Sequence, residues 1–229
     1  MARSATHRRG REPRDDDAAP ELNLANVLDP AMPDAQRRIV QAAMHAFAER
    51  GYNGTTTQEI ARTAGVAEGT VFRYYRTKKD LLLDTVGPLF MRVMSPIIRR
   101  NIETIFSTEY PSFAAFLRAL VTDRLAFARS HRTLVRVMAQ EIPFHPELRA
   151  QFESTVFDAT FSLGLAAIER FQARGEIMSL PPATVARICG SVFGGYVLSR
   201  VFLDPDRAWD DAAEIDTMID VLTRGLAPH

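Results

Sequence analysis

Residues Thr55–Leu82 read TTTQEIARTAGVAEGTVFRYYRTKKDLL, a stretch that joins two capping signals, a glycine turn and a group of cations beside aromatics. Thr56 with Glu59 three residues on forms a capping box, and Ile60, Ala61 and Ala64 give the helix it opens a short apolar face. Gly65 ends that helix, since glycine enters the left-handed region without steric cost. A second short helix over 68–75 buries Val71 and Tyr75, and Thr77 with Asp80 repeats the capping spacing at the start of a longer one. Two short helices flanking AGVA, a four-residue turn with a glycine, have helix-turn-helix spacing.

Upstream, Ile39, Ala43, Ala46 and Phe47 share one helical face, and Gly51 after Arg50 is a C-terminal stop. Residues 1–33 carry Arg, Asp, Pro and Ala with few large apolar groups and read as a mobile arm. Downstream, helical spacing predicts helices over 78–106, with bends at Gly87, Pro88 and Pro96, and over 112–129, 131–141, 146–173, 182–203 and 209–224. Strand-like alternation is absent from the pattern. The predicted fold class is therefore all-α, with a three-helix helix-turn-helix unit over 34–81 and a larger helical body over 82–229.

A chain of 229 residues, 46% of them hydrophobic, has the material for a real core. Its single cysteine, Cys189, excludes an intrachain disulfide framework and points to a reducing, cytoplasmic setting. The start, MARSATHRRGREPRDDDAAPELN, lacks an apolar run, and Arg, Asp or Glu interrupts each later apolar segment, so a soluble protein with no membrane partner is expected. Formal net charge is zero, yet between Asp34 and Asp80 eight basic residues face five acidic ones. A local cationic excess suits nucleic acid where a global one is missing.

The second short helix of the motif is polar on one side and presents that side outward. Arg73 can fork onto guanine in a major groove, Thr70 and Tyr74 can donate to phosphates, and Gly69 lets the helix approach a duplex closely. Lys78 opposes the dipole of its own helix start, a placement that suits an external anion there, and Thr56 and Thr57 offer a second phosphate grip.

Residues 37–82 resemble the DNA-binding domain of the tetracycline-repressor (TetR) family, whose pattern runs AALELFAERGY, a Thr-Thr, IA..AGV, GT, two aromatics and Lys before Leu-Leu. The chain reads AAMHAFAERGYNGTT and IARTAGVAEGTVFRYYRTKKDLL in the same order. The resemblance implies base-facing roles for Glu68, Gly69, Thr70 and Arg73, with Gln58 an occasional reader, and phosphate contacts for Thr56, Tyr74 and Lys78. Three positions depart from the pattern: Ala67 replaces a capping Ser, Phe72 replaces a common Tyr, and Arg76 replaces a frequent Pro and can add a phosphate contact. An operator sequence therefore does not transfer.

Beyond residue 85 the resemblance is one of architecture, and it implies a ligand-binding and dimerisation domain over 82–229 behind a DNA-binding domain over 34–81. Ala186, Gly190 and Gly194 recur at every fourth position, and with Val197 and Val201 they suggest a helix face for a second copy; Ile215, Met218, Ile219 and Leu222 add a partner stripe. Phe90, Met91, Met94, Phe113, Phe116, Phe127, Met138, Phe152, Phe157 and Phe161 are candidates to line a ligand pocket, and Asp123, Arg124, Arg136, Glu141, His145 and Asp158 are polar groups that could orient a ligand.

No catalytic serine elbow, phosphate-cradling loop or His-Glu-x-x-His pair occurs, and His7, His45, His131, His145 and His229 share no ligand spacing. The expectation is a non-enzymatic homodimer without cofactor or metal that binds a pseudo-palindromic double-stranded operator. The resemblance implies a repressor released by a small molecule, which the aromatic content of the body suggests is lipophilic or aromatic. The alternative is an effector-free or partner-regulated DNA-binding dimer with a solid helical core, and cavity volume separates the two.

Overall fold

The structure, a computed structural model, describes residues 28–154, 158–204 and 207–228, with only the backbone of residues 86, 90–99 and 158–160. Among the described residues it is all-α. Helix α1 (Asp34–Arg50) begins after Pro33, carries Asp34 in its first turn, and stops at Gly51, whose φ of 71° is open to glycine. Ile39, Ala43, Met44 and Phe47 are fully buried, and they form the centre on which the next helices rest. Helix α2 (Thr57–Ala64) has both halves of the capping box on Thr56 and Glu59, and it ends at Gly65 in the left-handed region. Helix α3 (Glu68–Tyr74) follows, with Ala67 supplying no side-chain cap.

Helix α4 (Lys78–Ser107) is capped by Thr77, which accepts from the Asp80 N–H at 3.0 Å. At 30 residues it is about 45 Å long. The helix continues through Gly87, Pro88 and Pro96 rather than breaking there. Gly87 serves an approach instead, since a Cβ there would meet the side chain of Gln151.

The body consists of α5 (Phe113–Ser130), α6 (Arg132–Glu141), α7 (Pro146–Phe152), α8 (Asp158–Ala173), α9 (Pro182–Leu198) with a π-helical turn (Ser199–Leu203), and α10 (Asp211–Gly225). Of the helix predicted over 146–173, the described residues form α7 and α8, and the α-helix widens at 153 and 154. The one predicted over 182–203 changes pitch at Ser199. One contiguous apolar core runs from Leu28 through α1 to Leu226.

Two further expectations need correction. The predicted arm extends only partly over the described residues, and its end, 28–33, is docked: Leu28 is 7% exposed, and Arg37 Nη2 donates to the carbonyls of Asp29, Pro30 and Met32. Residues 1–27 lie outside the described residues. The segment 182–203 is also long and apolar enough in composition to cross a membrane, though Val185, Cys189, Phe193, Tyr196 and Val201 pack inside the body.

His131 joins α5 to α6. Its Nδ1–H donates to the Phe127 carbonyl at 2.9 Å, and the ring stacks on Phe127 at 4.3 Å. Burial pushes this imidazole below its ordinary value of 6.5. The unfolded chain then binds the proton more readily, so stability falls as pH drops from about 6.5 toward the lower folded value. His131→Gln should flatten that part of a pH series of urea melts; an unchanged slope would exclude His131 as its source.

Candidate nucleic-acid interface and apolar cavity

With Val71 and Tyr75 buried, at 1% and 4% exposure, the opposite side of α3 is fixed outward. Gly69, Phe72 and Arg73 occupy positions i, i+3 and i+4 of that side, and Arg76 continues the line just past the helix; all four are exposed. Thr70 and Tyr74 flank them half-buried, and Gln58 is exposed on α2. The Arg73 guanidinium lies 5.1 Å from the Tyr74 ring centre, with Nη2 at 3.4 Å from the phenol oxygen. That contact leaves most of the donor fork open, and the Tyr74 hydroxyl proton with it.

Three residues read as phosphate grips have other work in this structure. The Thr57 hydroxyl donates to Glu68 Oε1 at 2.7 Å, which ties α2 to α3 and half-buries that carboxylate. Thr56 Oγ1 accepts from the Glu59 N–H and donates to Glu59 Oε2 at 3.0 Å. The hydrogen bonds from the Thr56 backbone and hydroxyl hold the Glu59 carboxyl below its usual range. Lys78 turns inward: its ammonium donates to the Tyr52 and Thr55 carbonyls at 2.7 and 2.8 Å and lies 4.1 Å from the Tyr52 ring centre. Two of its three protons therefore close the 51–55 loop. Arg76 and Tyr74 remain as the outward donors of the phosphate set.

The same loop is held from the body. Glu141, 4% exposed at the end of α6, accepts the Tyr52 N–H through Oε1 at 2.7 Å, and its Oε2 lies 3.3 Å from His145 Nε2. His145 meets the Tyr52 ring edge-on at 5.0 Å. Beside them Lys79 pairs with Glu147 at 2.6 Å. Glu141 and His145, read from sequence as ligand-orienting groups, instead fasten the loop between α1 and α2.

The body holds a half-open apolar cavity of about 350 Å³ between α4, α5, α8 and α9. Ile102, Phe106, Phe113, Phe116, Leu120, Phe161, Ile168 and Phe193 line it, with Arg124 as its charged group. The Phe106, Phe113, Phe116 and Phe171 rings contact one another at 5.3 to 6.1 Å, which gives one wall its rigidity. Arg124 bonds Asp123, whose other oxygen accepts from Asn101 at 3.2 Å, so its charge is balanced within the chain. The Cys189 thiol, also in the lining, is pushed up to about 11 by burial and is not a nucleophile at neutral pH.

Of the pocket candidates, Phe113, Phe116 and Phe161 border this cavity. Phe127 stacks on His131, Met138 is buried on α6, and Phe152 packs on the core away from it. The side chains of Phe90, Met91 and Met94, and all of Phe157, lie outside the described residues, as does the side chain of Asp158. The sequence reading missed Ile102, Ile168 and Phe193; their helical spacing marks them as apolar but says nothing of which void they border.

The interface candidates are also rearranged. Ala186, Gly190 and Gly194 border the cavity, and a Cβ at either glycine would meet nothing within 4 Å. Val201, Ile215, Ile219 and Leu222 are buried inside one chain, because α10 lies along α5 and the π-turn folds back on the body. Val197 and Met218 are half-buried. The large apolar groups left outside on this side are Ile188, Leu198, Leu203 and Val221.

Residues 39–85 match the family model described as bacterial regulatory proteins, tetR family. That segment is a tetR-family helix-turn-helix domain. The fatty acid metabolism regulator protein of Bacillus subtilis is 38% identical over 68 residues, 30% of this chain and 33% of that relative's length. The crystal structure of the B. subtilis transcriptional regulator FadR in complex with stearoyl-CoA superposes with a TM-score of 0.61 at 22% identity, covering 82% of this chain and 98% of that one. A regulator-like protein of Saccharomonospora viridis solved with choline gives 0.61 at 18% identity, over 86% and 99% of the two chains. These two likenesses show the fold alone.

Proposed function

We propose that this protein is a ligand-responsive transcriptional repressor of the TetR family. Residues 34–81 would bind an operator and 82–229 would take up a small, largely apolar molecule and form a homodimer. The observation that supports this most is one helix shared by two sites: α4 contributes Ile102 and Phe106 to the cavity, and its first turn holds the loop beside the DNA-facing helices through Lys78. A molecule that spreads the cavity walls would move α4, and with it the separation of two recognition helices. Half-site centres would lie about 34 to 36 Å apart, one duplex turn. The apolar lining suits an acyl or aryl body, in keeping with the stearoyl-CoA bound by the B. subtilis relative. A solid core was the mark of the effector-free alternative, and the cavity weighs against it.

Arg73, Thr70, Gly69, Glu68 and Gln58 are the proposed base-facing residues, and Arg76 and Tyr74 the proposed phosphate contacts. Selection of duplexes from a randomised library by the full-length protein, followed by footprinting, tests the DNA-binding reading. Arg73→Ala should cost about 1–3 kcal/mol on the selected duplex and relax preference at one base pair. Equal loss on selected and random DNA would reassign Arg73 to the phosphates. The dimer would use the exposed apolar groups Ile188, Leu198, Leu203 and Val221, and sedimentation at micromolar concentration should show twice the chain mass.

A further inference from the structure

Phe72 is the large apolar side chain left exposed among the described residues of 39–85, at 46%. It stands in the outward line of α3 between Gly69 and Arg73, with Arg76 beyond. A phenyl ring offers no hydrogen bond to a phosphate, and the cations beside it, not the ring, meet that need. In the major groove the apolar feature is the 5-methyl group of thymine, which projects from the base edge where an α-helix lies.

Gly69 adds an independent reason. Its φ is not positive, so the backbone does not require glycine there, and a Cβ would meet nothing within 4 Å, so packing inside the chain does not require it either. Glycine weakens a helix, and on this face its missing side chain is open space one turn before Phe72. That space would let the helix lie deep enough for a short, flat ring to touch the groove floor.

We propose that Phe72 reads the methyl group of a thymine in each operator half-site. The inference rests on the DNA-binding reading above. Replacing one thymine at a time by deoxyuridine in a selected duplex removes the methyl group and leaves pairing intact. At one position per half-site, uracil should weaken the full-length wild type about fourfold, the worth of one buried methyl group. Phe72→Ala, folded as judged by circular dichroism, should bind the thymine duplex more weakly than wild type and no longer distinguish thymine from uracil, whereas Phe72→Leu should retain part of the discrimination. Uracil tolerance at every position in wild type, or unchanged discrimination by Phe72→Ala, overturns the assignment while leaving DNA binding intact. Failure of the wild type to select any duplex overturns the DNA-binding reading itself, and this assignment with it.

Discussion

Glu141→Ala will lower the thermal midpoint and, with it, the operator affinity, although residue 141 is distant in sequence from the DNA-facing helices. The buried carboxylate accepts the Tyr52 N–H at 2.7 Å, and its removal leaves that donor without a partner. An unsatisfied buried donor costs about 1–3 kcal/mol. In a chain of this size each kcal/mol moves the midpoint by about 2–4 °C. Glu141→Gln keeps an amide oxygen for the Tyr52 N–H but loses the charge facing His145, so its loss should be smaller. Calorimetry on the three proteins orders them wild type, Gln, Ala; equal midpoints for wild type and Ala would show that the loop is held without Glu141. A fall in affinity beyond that explained by unfolded protein would show that the 51–55 loop sets the pose of α2 and α3.

Gly190→Leu should abolish binding of an apolar probe while leaving the fold at least as stable. Gly190 is exposed and borders the pocket, and a Cβ there would meet nothing within 4 Å, so a larger side chain has open space beside the pocket rather than a packed neighbour to displace. Glycine-to-larger changes in a helix interior also remove a propensity cost of about 0.5–1 kcal/mol. Titration with anilinonaphthalene sulfonate, which brightens in apolar surroundings, should show at least about tenfold weaker binding, equivalent to about 1.4 kcal/mol. Unchanged probe binding would place the site elsewhere. Dissociation of a dimer with probe binding intact would return the small-residue stripe to the role its spacing suggests, a seat for a second copy.

The helix-turn-helix was legible because its determinants are local. Thr56, Glu59, Gly65, Thr77 and Asp80 act within four residues of themselves, and each does what its spacing predicts. The body was legible as helices but not as a site. Ala186, Gly190 and Gly194 announce a face that admits something close, yet only the positions of α5 and α8 determine that the face borders a void. Ile215, Ile219 and Leu222 form an apolar stripe that would look the same whether it met α5 or another chain. Lys78 depends on distant residues in a similar way: its place at a helix start suggests an anion, and the carbonyls of Tyr52 and Thr55, more than 20 residues earlier, take two of its three ammonium protons.

The attachment of the last helix bears on how the chain is made. Asp211, at the start of α10, is bonded by Tyr196 of α9, by Arg129 of α5 and by Arg200 of the π-turn, while Asp216 pairs with Arg118. The two ties to α5 join residues 82 and 98 positions apart along the chain. At about 5–20 residues per second, α5 is synthesised roughly 5–20 s before its cover emerges. Through that interval the ribosome carries a chain whose helix-turn-helix residues are all present but whose α5 flank is open, a window in which a chaperone or a protease would meet apolar surface. A premature stop near residue 205 would make that window permanent, so such products should be cleared or aggregate rather than persist as small free DNA-binding fragments.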